Sequence, residues 1–387
     1  MKLQPRWIAV AGLALVGWAA APRALALVTL EDGRDKIFVT GTAAIAYDSN
    51  VFENSSSGGS MTYNASVGIE YVRRAGWIGV NASVVWTFQR YADYSAQDYA
   101  DPAFTLELDK ESGRTTGAVT LSAQRQNRAD VDVNTIDASW AYAAGISLRY
   151  PVIDRYSISA GFNYAFTDYS DQQLFTNLTQ YAANVQLFYV LSDERDLFVG
   201  YRYRYNDSTN VSYDIDHSVF AGVTGRIIPG LNGSLQMGYQ LRFPYEHDGT
   251  AGGTEGDYTV LGSATWDLNR KSNLTGTISK DFGVTATAIS IDTLNAQLTY
   301  TYAYNAKLSA FAGVGGGETN FLGNNGRIYP NGPERTDYNF TWNVGVNYTM
   351  NQHFKATLAY DSIRNWSNLS IAEFPREMLT LTLTSRW

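Results

Sequence analysis

From residue 338 to residue 350 the chain alternates strictly. Tyr338, Phe340, Trp342, Val344, Val346, Tyr348 and Met350 are apolar, and Asn339, Thr341, Asn343, Gly345, Asn347 and Thr349 between them are polar or small. Successive side chains of a strand point to opposite faces, so this stretch makes a strand with one oily and one wet side. The same alternation runs through Ile136 to Tyr150, Tyr156 to Phe166 and Tyr181 to Leu191. Beyond residue 26, a charged or strongly polar residue interrupts every apolar run before it reaches the roughly 20 residues that a membrane-crossing helix needs. If such a chain crosses a bilayer, its sheet must close on itself, because lipid offers no partner to the backbone groups of an open edge.

The expected fold is therefore all-β: a transmembrane, antiparallel, up-and-down β-barrel of about 18 strands, with about 16 as the alternative count. Strand starts are expected from near Ile37 to near Met378. The least regular parts are Ala103 to Asp109 and the connection inside Asn273 to Tyr304. Connections alternate in length. Arg73 to Gly76, Lys110 to Gly113, Pro151 to Asp154, Ser192 to Asp196 and Pro229 to Asn232 are short and rich in turn-forming residues. Glu53 to Ser60, Arg90 to Pro102, Asp168 to Leu178, Asn206 to His217, Pro244 to Asp257 and Gly315 to Asp337 are long. Short periplasmic turns and long external loops are the pattern of outer-membrane barrels. Aromatics sit beside both sets of connections, for example Trp77, Tyr150 and Trp266 at the short ones and Tyr63, Trp140 and Tyr338 at the long ones. Two such girdles suit the two membrane interfaces.

The ends of the chain fit export. Lys2 and Arg6 precede an apolar run from Trp7 to Ala20 and the small-residue end Ala24-Leu25-Ala26, the order of a secretory signal peptide. Residues 1–26 are expected to be a cleaved leader, 27–36 a short periplasmic segment without room for a plug domain, and 37–387 the barrel. At the other end Leu379, Leu381, Leu383 and Trp387 alternate with Thr380, Thr382, Thr384 and Arg386. This resembles the C-terminal assembly signal of outer-membrane proteins, which implies the barrel-assembly machinery as a partner and a Gram-negative outer membrane as the location.

With no Cys there is neither a disulfide scaffold nor a thiolate metal site. The 37 acidic residues against 29 basic ones disfavour nucleic acid as a partner. Among the three histidines, His217 and His247 fall in expected external loops and His353 in a short turn. Asp214, Asp216 and His217, or Glu246, His247 and Asp248, are candidates for an outer-surface hydrolase, but no orienting third group is evident. No metal ligand set or cofactor motif stands out, because Gly313 to Gly317 lacks the Lys-Ser/Thr of a phosphate loop.

Strand parity points Arg202, Arg204, Arg226 and Arg242 inward as a basic sector, and Glu70 and Asp361 inward from strands near the closure. Opposed charges in a pore bias which solutes pass. The other reading is local pairing of these groups, with Glu107, Asp109 or Asp267 as partners. The segment Gly315 to Asp337 either folds into the lumen or caps it from outside.

At the first strand, Tyr47-Asp48-Ser49-Asn50-Val51-Phe52 resembles the opening of a β-barrel porin family that includes outer-membrane proteins of exopolysaccharide loci. Leu191 to Leu197 and Asn269 to Leu274 are similar to that family's periplasmic turns. The resemblance implies an outer-membrane location and a role in polysaccharide passage, and it carries no catalytic residues. The expected function is passive passage of small hydrophilic solutes or saccharide, not catalysis. The alternatives are an accessory protein of exopolysaccharide export and an outer-surface hydrolase. The oligomeric state is left open.

Overall fold

The computed structural model describes residues 27–30, 34–56, 58–74, 76–129, 136–322 and 335–387. The leader expected at 1–26 lies outside them. The described residues form nineteen strands in one sheet. The first six are β1 (Val28–Leu30), β2 (Asp35–Asp48), β3 (Ser60–Arg73), β4 (Gly79–Tyr91), β5 (Tyr99–Lys110) and β6 (Thr116–Ala129). Next come β7 (Ile136–Ile153), β8 (Tyr156–Tyr169), β9 (Leu178–Ser192), β10 (Arg195–Ser208), β11 (Ser212–Ile228) and β12 (Leu231–Glu246). The remainder are β13 (Glu255–Asn269), β14 (Ser272–Val284), β15 (Ser290–Ala303), β16 (Leu308–Leu322), β17 (Thr336–Thr349), β18 (Phe354–Ser367) and β19 (Phe374–Arg386).

From β2 to β19 each strand pairs antiparallel with its chain neighbour, and β19 returns to β2 with Met378 opposite Asp48 and Arg386 opposite Thr40. The result is a closed barrel of eighteen strands plus the extra strand β1. The stagger of the closure leaves the first residues of β2 below the end of β19, and β1 covers that edge by pairing Val28 with Ile37 and Leu30 with Asp35. An uncovered edge there would be open to pairing with another chain. Residues 28–30 and 35–36 of the expected periplasmic segment thus belong to the sheet.

Alternation survives in three dimensions. Outward positions such as Val219, Met237 and Leu379 are exposed and apolar, while the inward positions Asn206, Ser218 and Gln240 are buried and polar. The connections expected to be short lie at one end of the barrel, called here the inner end. At the outer end, two expected loops are shorter than the sequence suggested. The stretch Asn206 to His217 is mostly strand, with β10 and β11 joined by residues 209–211 alone. Likewise β16 carries Gly315 on to Leu322, and β17 starts at Thr336; the intervening 323–334 lie outside the described residues. Polar and Gly-rich sequence reads as loop, but cross-strand pairing satisfies its backbone equally well. The unclear region between Asn273 and Tyr304 is the hairpin β14–β15, turning through residues 285–289.

At the outer end of the seam, the motif at 47–52 fastens first strand to last. Asp48 takes a forked pair of bonds from Arg376 of β19, Nη2 to Oδ2 at 2.6 Å and Nε to Oδ1 at 3.0 Å, and Arg376 also pairs with Glu53. The Asn50 side chain, fully buried, donates to the carbonyls of Asn54 at 2.8 Å and Pro375 at 3.2 Å. Removing one member of a buried ion pair costs about 3 kcal/mol, because it strands the other charge. An Asp48→Ala barrel is therefore expected to unfold at lower temperature in detergent, read by the loss of its compact gel mobility; an unshifted transition would show the seam to hold without this lock.

Candidate pore constriction

The inward face of β10–β12 carries three of the expected pore residues, Arg204 and Arg242 at one level and Arg202 two residues further in. Register places Arg204 opposite Asp216, and Asp216 opposite Arg242, so a guanidinium, a carboxylate and a guanidinium stand side by side on three adjacent strands. Asp216, which is 0% exposed, accepts from Arg204 Nε at 2.7 Å, from Arg242 Nε at 2.7 Å and from Arg242 Nη2 at 2.8 Å. Asp214 of the same strand lies 3.2 Å from Arg242 Nη1. These contacts are local and follow from the alternation of β11, which turns Asp214, Asp216 and Ser218 to the inside together.

The fourth partner comes from elsewhere. Asp281 of β14 receives both Nη groups of Arg202 at 2.8 Å and those of Arg204 at 3.0 and 3.1 Å. Eighteen strands spaced about 4.8 Å apart and tilted about 40° give a backbone radius near 18 Å, so wall positions four strands apart lie about 23 Å from each other. An extended Arg, an extended Asp and the hydrogen bond between them span only about 14 Å from Cα to Cα. The outer part of β14 must therefore have left the wall and entered the lumen.

The pairing pattern records that departure. β13 and β14 pair only from Asn269–Ser272 up to Val260–Lys280, although β13 extends outward to Glu255 and β14 to Val284. β14 and β15 remain paired to the tip, where Val284 faces Ser290, and β15 stays paired with β16 out to Ser290–Leu322, so around this hairpin the sheet parts between β13 and β14 alone and the hairpin hangs on β16. The tip docks against the inside of the barrel. The Thr176 backbone N–H donates to the Ala286 carbonyl at 2.8 Å, and Ser290 Oγ donates to Asp214 at 2.7 Å. On the β13 side the Phe282 carbonyl, beyond the last β13–β14 pair, accepts from Arg204 at 2.8 Å instead, and Arg242 donates to Gly283 O at 2.7 Å. Ala286, Phe282 and Ile289 are all buried. At the split, Lys280 bridges Asp257 of β13 at 2.9 Å and Asp292 of β15.

The basic sector expected from sequence is thus a neutral clasp, with Arg202, Arg204 and Arg242 set against Asp214, Asp216 and Asp281. The local partners considered from sequence, Glu107, Asp109 and Asp267, are not the ones these arginines use. Arg226 stands apart at the inner end, paired with Glu194 at 2.6 Å. Glu70 accepts from Arg386 at 2.8 Å, and that guanidinium lies over the Phe38 ring. Asp361 is half-buried on the inward face of β18, opposite Asn343. Sequence reasoning also missed an apolar ledge toward the inner end from the clasp, formed by the inward-facing Phe188, Phe198 and Phe220. Gly222 makes room for it, since a Cβ there would lie 2.4 Å from the Phe198 ring.

The hydrolase candidates separate. His217 is on the outward face of β11, bonded to Tyr201 Oη at 2.6 Å, while Asp214 and Asp216 face inward. His247 is 3.0 Å from Asp207 at the outer rim. Of the assembly-signal residues, Leu379, Leu381 and Leu383 are exposed on the outward face. Trp387 stacks on His353 with ring centroids 4.1 Å apart.

No protein-family model matches the sequence, and no curated protein matches it. Among solved structures, Pseudomonas aeruginosa OccK2 (OpdF) is similar with a TM-score of 0.50 and 11% identity, covering 91% of this chain and 97% of that one. The outer membrane protein OpdK of the same organism gives 0.48 and 13%, over 91% and 99% of the two chains. Acinetobacter baumannii OccAB2 gives 0.48 and 10%, over 91% and 98%. At such identity the likeness to OccK2 speaks to the barrel fold.

Proposed function

We propose that this chain is an outer-membrane channel of porin type that lets small hydrophilic solutes, saccharides among them, diffuse through its lumen. The observation that carries this reading is a closed barrel of eighteen strands with a polar inner face. Barrels of about 16 to 18 strands enclose more space than their side chains fill, and they leave an aqueous path. The hairpin β14–β15 narrows that path at its outer end, and Glu70, Asp361 and Arg202 face it, while Arg204 and Arg242 lie buried beneath the docked hairpin. Residues 1–26 direct export and are removed, and the outward leucines with Trp387 are read by the barrel-assembly machinery. Purified protein in a planar bilayer is expected to give discrete conductance steps in potassium chloride; a silent bilayer with folded barrel inserted would overturn the channel.

An accessory role in exopolysaccharide export rests on Tyr47 to Phe52. In this barrel those residues have a structural task at the seam, which leaves channel activity as the better supported reading. Unchanged polysaccharide secretion in a strain lacking the protein would remove the accessory role.

A further inference from the structure

We infer that the outer halves of β13 and β14 form a zipper and that the hairpin β14–β15 is a gate with two seats: docked in the lumen, as described above, or returned to the wall. This inference rests on the channel reading. Continuing the register of Val260 with Lys280 outward would place Thr259 opposite Asp281, Tyr258 opposite Phe282 and Asp257 opposite Gly283. Residues for that pairing already exist on both strands, because Glu255–Thr259 and Asp281–Val284 are extended and lack each other as partners.

Side-chain parity of the hairpin matches the wall seat. Zipped, Phe282 would face outward beside Tyr258, which is exposed on the outward face next to Tyr239, and so would extend the outer aromatic girdle. Asp281 would face the lumen, as its neighbours in the alternation do. The docked seat, by contrast, leaves polar groups unmatched. Among the described residues, Arg202 Nε, Gln240 Nε2, Asp292 Oδ1 and Thr293 Oγ1 are buried with no hydrogen-bond partner. Buried groups of that kind are uncommon, and each one left without a partner subtracts from the stability of the docked seat. Lys280 sits at the fork of the zipper, holding Asp257 and Asp292 across it, with its ammonium 4.6 Å from the Tyr258 ring.

Opening changes charge as well as width. Docked, three guanidiniums face three carboxylates. With Asp281 withdrawn, Arg202, Arg204 and Arg242 face only Asp214 and Asp216, so the exposed wall carries a net positive charge. A wide state that prefers anions and a narrow state without that preference follow from the one movement.

The absence of Cys makes engineered staples clean. Tyr258→Cys with Phe282→Cys would join residues directly opposite in the zipped register. Thr176→Cys with Ala286→Cys would join residues that the docked hairpin already hydrogen-bonds. Thr176 and Ala286 are joined through their backbones in the docked seat, and closing the zipper would bring Tyr258 and Phe282 to the Cα separation a disulfide accepts, about 4.4 to 6.8 Å. Under mild oxidation both are expected to form, each detected by mass spectrometry of digested protein. The wall staple should raise conductance several-fold and shift the reversal potential toward anions, the docked staple should hold the channel at its low level, and reductant should reverse both. If the docked pair closes completely while the Tyr258–Phe282 pair never does, the hairpin has one seat and the gate is refuted. Cross-linking is read without current, so a barrel in which both staples form but no variant conducts would retain the movement and sink the channel.

Discussion

An Asp216→Asn barrel is expected to lose about 3 to 5 kcal/mol of stability, the cost of stranding buried charge, and to conduct more than the parent. The side chain has no solvent exposure and accepts four hydrogen bonds, from Arg204 Nε, Arg242 Nε, Arg242 Nη2 and, at 3.2 Å, Asn206 Nδ2. An amide in its place keeps one acceptor oxygen and turns an NH2 toward donors that cannot accept. Two guanidiniums then have only Asp214 and Asp281 to balance them, with Arg202 already drawing on Asp281. The comparison variant is Asp281→Asn. Its carboxylate is about a third exposed, so water can replace part of what it loses, and its destabilisation should be smaller. Both changes weaken the clasp, so both should raise conductance, whereas only Asp216→Asn should markedly lower the urea midpoint followed by tryptophan fluorescence in detergent. Equal midpoints for the two variants and the parent would mean that the clasp contributes little to holding the barrel together.

The wall of this barrel was readable from sequence because its causes are local. Parity decides which side chains meet the lumen, turn residues decide where a strand stops, and both are visible within ten residues of chain. Trp342 and its neighbours could hardly take another arrangement. Strand starts follow suit, as with Leu308 and Phe354, which begin β16 and β18 where the alternation begins. The constriction was only half readable. Arg202, Arg204 and Arg242 were visible as inward groups, and Asp214 and Asp216 lie close to them in sequence. Asp281 was not connected to them, because its approach depends on a hairpin leaving the wall, and parity is silent about that. The one local sign was the irregular reading of the stretch between Asn273 and Tyr304. Loop length gave no sign of the hairpin either. The longest polar stretch, Gly315 to Asp337, was open between folding inward and capping the lumen, and its residues 323–334 lie outside the described ones, while the hairpin that enters the lumen turns through only five residues, 285–289. His217 was misplaced for a related reason: Asp214, Asp216 and Ser218 beside it look like loop, yet they are polar because their side of β11 faces the lumen.

Deleting Trp387 is expected to reduce the amount of folded barrel in the outer membrane several-fold while leaving any barrel that does form close to the parent in stability. Two kinds of contact are lost. The backbone of Trp387 exchanges hydrogen bonds with Val39, N–H to O at 2.9 Å in one direction and 3.0 Å in the other, and this is the innermost link between the last strand and the first. Its ring stacks on His353 and meets the edge of Phe354 at 5.6 Å. In the finished molecule these links sit at one end of a long ladder, backed by nine registered pairs from Arg386–Thr40 to Met378–Asp48 and by the Arg376–Asp48 lock at the far end. Terminal pairs fray at little cost, about 0.5 to 1.5 kcal/mol for a typical exposed hydrogen bond. During assembly that backing does not yet exist, and a strand that has to be held by its aromatic end before closure has nothing in its place. A Trp387→Phe variant keeps an aromatic ring and should restore most of the folded yield, which Trp387→Ala should not. Should all three variants reach the membrane as well as the parent, the last residue is a packing group of the seam and takes no part in recognition.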